Sequence, residues 1–127
     1  MSDKRFEHYV LNIAKLDDHH EELTKTMCKV KLLLIDRNFE EARAILAVLF
    51  NELKDHYKYE EQLMVGLGYP FVNSHIQEHL RLSALSSLTQ KIIDKTTTLN
   101  LLEEIIYTHI DTYDRQFAEY ISEKHSH

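Results

Sequence analysis

In 127 residues the chain holds 2 glycines and 1 proline. These residues supply most tight turns and end most helices. With so few of them, long helices joined by few turns are the architecture open to the chain. Apolar residues at helical spacing agree. Leu16, Leu23, Met27, Val30 and Leu34 mark a helix over about 16–36, with Asp18 and Glu21 resembling a capping box. Asn38 and Glu41 form a second capping box before a helix over about 39–65. Its stripe is Ile45, Leu46, Leu49, Leu53, Leu63 and Leu67, and Gly66 and Gly68 end it. Pro70 suits the first turn of a third helix, about 70–92, carrying Val72, Ile76, Leu80, Leu82, Leu85 and Leu88. The tract 94-DKTTT-98 reads as a turn. Asn100 and Glu103 read as the cap of a fourth helix over about 99–121, with Leu102, Ile105, Ile106, His109 and Tyr113. Residues 1–15 read as an arm anchored by Phe6, Tyr9, Val10, Leu11 and Ile13.

No strand alternation, internal repeat or low-complexity segment competes with this reading. Four helices with short connections pack as an antiparallel up-down bundle. The expected fold is therefore all-α, a single domain over residues 1–127 consisting of a four-helix bundle with an N-terminal arm. A net charge of −6 favours neither nucleic acid nor an anionic membrane. No apolar run approaches the roughly 18 residues of a membrane span, and the first residues lack the apolar core of a signal peptide. Cys28 is the only cysteine, which excludes an intramolecular disulfide and a CxxC metal knuckle. It reads as a small buried hydrophobe. A reducing, cytoplasmic location is expected.

Histidine is the unusual component, with 9 in the chain. One or two fall on the inward stripe of every predicted helix: His20 on the first, His56 on the second, His75 and His79 on the third, His109 on the fourth. Residues four apart lie about 40° apart around an α-helix, so His56 with Glu60, and His75 with His79, share a face. His109 and Asp114 are five apart, about 140° around an α-helix, and need a local distortion or a reaching carboxylate to converge. Asp111 stands as the alternative. Buried polar groups cost a few kcal/mol each unless partnered, and a shared cation would partner all of these at once. Five imidazoles and two carboxylates exceed one tetrahedral zinc. They suit two octahedral ions bridged by the carboxylates and a solvent oxygen.

The motifs that carry these residues resemble the hemerythrin family, specifically single-domain bacteriohemerythrins, over nearly the whole chain. "YVLNIAKLDDHHEEL" is similar to the family's "IDxQHxxL" region, "HYKYEEQLM" to "HFxxEExLM", "GYPFVNSHIQEH" to "xYPxxxxHxxEH", and "HIDTYD" to "HIxxxD". The resemblance implies that His75, His79 and His109 hold one iron. His20 and His56 hold a second with an open position, while Glu60 and Asp114 bridge the two beside an oxo or hydroxo group. It favours Asp114 over Asp111. It also implies dioxygen as ligand, in a carrier, buffer or delivery role. The alternative is a sensor or redox module for dioxygen, nitric oxide or peroxide, acting through a signalling partner or as an oligomer. No enzyme is implied beyond weak peroxidase or oxidase side activity.

Four positions depart from the family pattern. Ile105 stands where a Trp is common, Tyr57 and Thr24 where Phe is common, and Asn12 where Gly is common. Loss of the indole predicts freer ligand access and faster autoxidation. Of the other histidines, His8 falls in the arm and His125 and His127 in a polar tail read as disordered. His19 reads as solvated or as a neighbour of a ligand. Tyr113, four past His109, is the tyrosine best placed for a hydrogen bond near the site. A rival reading takes 75-HIQEH-79 as the H-x-x-E-H motif of a zinc peptidase with Glu78 as base, but leaves His20, His56, Glu60 and His109 unexplained.

Overall fold

The computed structural model describes residues 14–91 and 93–125. It contains four helical rods: α1 (Ala14–Ile35), α2 (Phe39–Gly66), α3 (Val72–Lys91), and a composite fourth. The fourth runs as α4 (Lys95–Leu102), two π-helical segments (Glu103–Thr108 and Ile110–Asp114) and α5 (Arg115–His125). There is no strand among the described residues. None of the described helices is long and apolar enough to cross a membrane. The predicted arm anchors Phe6 to Ile13, with His8, Asn12 and His127, lie outside the described residues.

The ends of the rods follow local chemistry. At α2, the Glu41 backbone N–H donates to Asn38 Oδ1 at 3.3 Å, and Asn38 Nδ2 donates to Glu41 Oε2 at 2.9 Å. Gly68 adopts φ +66 just beyond α2, a conformation glycine enters without steric cost. Three expected ends are corrected. α1 begins at Ala14, so Asp18 lies inside the helix rather than at its entrance. The fourth rod begins at Lys95, because Asp94, with extended backbone, accepts the Thr97 N–H at 2.8 Å and caps first. The DKTTT tract is thus mostly first turn, and Asn100 sits within the helix. The same rod stays helical to His125, beyond the expected end at about 121; Phe117, Tyr120 and Ile121 pack in a core cluster and anchor its last turns.

The packing shows the antiparallel order. Leu16 from the start of α1 meets Met64 from the end of α2, Tyr69, and Phe117 of α5 in one apolar cluster. At the other end, Leu23, Met27, Val30 and Leu34 of α1 share a larger cluster with Ala42, Leu46, Leu49 and Leu53 of α2. Leu82 of α3 and Leu102, Ile105 and Ile106 of the fourth rod complete it. Each large side chain removed from water in these clusters contributes roughly 1.5–3 kcal/mol.

The inward stripe of α3 differs from the expected one. Leu80 and Leu88 are 59% and 47% exposed, and Leu67 beyond α2 is 39% exposed. The buried face of α3 is instead His75, Glu78, His79, Leu82, Ser86 and Thr89. Leu80 lies two residues from Leu82, about 200° around the helix, so burial of one exposes the other. Cys28 is likewise exposed, correcting the buried reading: it follows Met27, which the core takes, by about 100°.

Candidate metal centre

A polar layer separates the two apolar clusters. His20, His56, Glu60, His75, His79, His109 and Asp114 are all buried. They form two groups whose candidate donor atoms lie within 4.8 Å of one another: Glu60, His75, His79, His109 and Asp114 in one, His20, His56 and Asp114 in the other. All seven sequence-predicted residues are therefore brought together, from all four rods.

The carboxylates divide their oxygens between the groups. Asp114 Oδ1 lies 3.0 Å from His109 Nε2 and 3.1 Å from His75 Nε2, while Oδ2 lies 3.0 Å from His20 Nε2 and 3.5 Å from His56 Nε2. Glu60 Oε1 lies 2.7 Å from His75 Nε2, 2.9 Å from His79 Nε2 and 4.0 Å from His109 Nε2, and Oε2 faces His56 Nε2 at 3.6 Å. All five imidazoles thus present Nε2 inward.

The π-helical segments explain how His109 and Asp114 converge. A π turn closes between residues five apart, so it brings Asp114 round to the face of His109, which an α-helix would not. Asp111 points elsewhere, pairing with Arg115 at 3.3 Å.

These groups are electrostatically interdependent. Burial alone would lower the His75 and His109 pKa values, but the Asp114 and Glu60 carboxylates outweigh it and raise them to about 9 and about 10. Burial and Asp114 push Glu60 upward, yet contacts with His109, His75 and His79 bring it down to about 2. Burial also opposes ionisation of Asp114, and His109, His20 and His56 hold it well below the ordinary carboxylate value. Without metal, the cluster pairs the Glu60 and Asp114 carboxylates with His75 and His109, which they hold toward the imidazolium form. It is incompletely satisfied: among the described residues, Glu60 Oε2 and the Nδ1 atoms of His20, His75 and His109 have no hydrogen-bond partner, and His109 Nε2 approaches Asp114 out of line for one. One Nε2–H cannot serve two carboxylate oxygens well, as the His75 geometry would require. Nitrogen and oxygen donors converging in this way fit metal ions.

Two outer residues were given no firm role by the sequence. Glu61 Oε2 lies 2.8 Å from His79 Nδ1, an arrangement that orients an imidazole and strengthens it as a donor. The signal was available in the paired acids of "HYKYEEQLM". His19 Nδ1 lies 3.1 Å from His56 Nδ1. Burial, then the neighbouring His56, lowers the His19 pKa.

Tyrosines frame the layer. Tyr57 stacks on His79 at 4.1 Å and 14°, and meets His109 edge-on at 5.8 Å. Tyr113 stacks on His109 at 5.6 Å, and the nearby Glu78 carboxylate, then burial, raises its pKa. Glu78 also accepts from Arg81 Nε at 2.6 Å. The base that an H-x-x-E-H peptidase would need is thus engaged by Arg81.

The family model described as "Hemerythrin HHE cation binding domain" matches residues 11–121. Among curated proteins, a bacteriohemerythrin of Campylobacter jejuni subsp. jejuni (serotype O:23/36, strain 81-176) is 25% identical over 123 residues, covering 90% of this chain and 91% of the relative. Bacteriohemerythrins from two other strains of that organism, serotypes O:6 and O:2, are each 24% identical over the same length. No solved structure matches the chain.

Proposed function

The chain belongs to the hemerythrin family, and we propose that it holds two iron ions, with a bridging oxo or hydroxo group, and binds dioxygen reversibly as a cytoplasmic carrier, buffer or delivery protein. The observation that carries this reading is the division of both carboxylates between the two histidine groups, with Asp114 Oδ1 3.0 Å from His109 and Oδ2 3.0 Å from His20. A carboxylate so disposed suits bridging two ions. On this reading His75, His79 and His109 hold one iron and His20 and His56 the other, whose shorter protein donor set leaves room for an external ligand. When bound there, an iron pair would supply reversible two-electron chemistry toward dioxygen. The protein's contribution is to fix both carboxylates, exclude bulk water with the flanking apolar clusters, and orient His79 through Glu61.

The reading is of a binding protein, with no catalytic residue assigned and at most peroxidase or oxidase side activity. Metal analysis with visible spectroscopy tests it. The expected result is two irons per chain and a colour that develops in air and leaves under vacuum. One zinc per chain, with peptide cleavage lost on Glu78→Gln, would overturn it.

One observation favours a second role, as a sensor or redox module for dioxygen, nitric oxide or peroxide. Val65, Leu67 and Phe71, close together in sequence around the α2–α3 connection, are 65%, 39% and 53% exposed. Exposed apolar side chains suit contact with a signalling partner or another copy.

A further inference from the structure

Tyr57 is 6% exposed, and its hydroxyl has no hydrogen-bond partner among the described residues. Its ring touches His79, His109 and His56, which belong to both histidine groups. Packing alone would be served by a phenylalanine, the residue in the motif that "HYKYEEQLM" resembles. The hydroxyl is a buried donor that no described residue engages.

Tyr57 lines a groove of about 360 Å³ between α2 and α3, with Asn51, Lys54, Ser83, Ser87 and Gln90 among its other walls. None of the lining residues is acidic, in a chain with 21 acids. The cavity on the other flank of the cluster, beside His19 and His56, is about 180 Å³ and lined by Glu22, Glu52 and Asp55. A small molecule bearing negative charge is repelled on that side and tolerated in the α2–α3 groove, where Tyr57 adjoins the cluster.

We propose that Tyr57 donates a hydrogen bond to the external ligand of the metal centre, favouring small ligands with a charged acceptor atom that arrive by the α2–α3 groove. This rests on the di-iron reading above. Azide, a small anionic acceptor, is the probe, and stopped-flow absorption of the iron-loaded protein gives its association and dissociation rates. In Tyr57→Phe, azide dissociates about tenfold faster, the loss of one hydrogen bond to a charged group, while association stays within about twofold and both irons are retained. An unchanged dissociation rate with both irons bound would overturn the proposal and leave the di-iron reading standing. An unchanged affinity with faster association would also overturn it, since Tyr57 would then be a steric wall. A wild-type chain that takes up no iron pair would end both.

Discussion

His20 and Asp114, 94 residues apart in the chain, meet across the bundle with Nε2 3.0 Å from Oδ2. The other oxygen of Asp114 serves His75 and His109. One side chain on the fourth rod therefore ties the first rod to the third, and the two donor groups to each other.

Asp114→Asn keeps the size of that link and removes its charge. The expected outcome is loss of the metal pair, read as a fall to one iron or fewer per chain in elemental analysis. The metal-free protein should also lose about 3 kcal/mol or more of unfolding free energy in urea, because a buried imidazolium is left without its carboxylate.

The metal-free protein should have a defined pH optimum of stability. His75 and His109 are raised from 6.5 to about 9 and about 10, so their contribution is complete below pH 6.5 and is lost as pH climbs through 9 to 10. Glu60 is lowered from 4.5 to about 2, so its contribution is complete above pH 4.5 and is lost as pH falls through 2. Thermal unfolding of metal-free protein is expected to peak between pH 4.5 and 6.5. Metal uptake must displace the imidazolium protons, so apparent metal affinity should rise with pH above that window. A titration by competing chelator measures it.

Glu61→Gln removes the carboxylate 2.8 Å from His79 Nδ1 while preserving its shape. Metal affinity should fall about 10- to 100-fold, the usual cost of losing such an outer partner. Chelator competition at fixed pH checks this, with circular dichroism expected to remain unchanged because Glu61 lies at the edge of the layer.

Ile105→Trp restores the bulk that the family often carries there. Ile105 is fully buried in the larger apolar cluster, so overpacking should cost about 1–3 kcal/mol of stability. Autoxidation, followed by the decay of the oxygenated absorption band, should slow. An unchanged rate would show that Ile105 does not control access to the centre.

The apolar periodicity and the scarcity of breakers made four helices legible, because helix formation depends on neighbours three and four residues away. The Asn38–Glu41 cap and the Gly68 terminus were legible for the same reason: their partners are local. His56 with Glu60 and His75 with His79 were legible because i,i+4 spacing fixes a shared face, whereas Asp114 was favoured over Asp111 only by the motif's resemblance to the family. Cys28, Leu80 and Leu88 were misread, because an approximate stripe does not tell which flank of a helix a neighbouring rod will cover.

The sequence by itself determined the helical content, the donor types and the shared faces of His56 with Glu60 and of His75 with His79, all of which follow from covalent spacing along one helix. Only the tertiary structure decided that the fourth rod widens into π-helical turns beside His109 and Asp114, that Glu61 and His19 stand behind two imidazoles, and which oxygen of each carboxylate faces which histidine. The π turns are fixed by the partners that Asp114 meets on other rods, most of the other contacts join different rods, and the energy that fixes all of them is released only when the rods pack and exclude water.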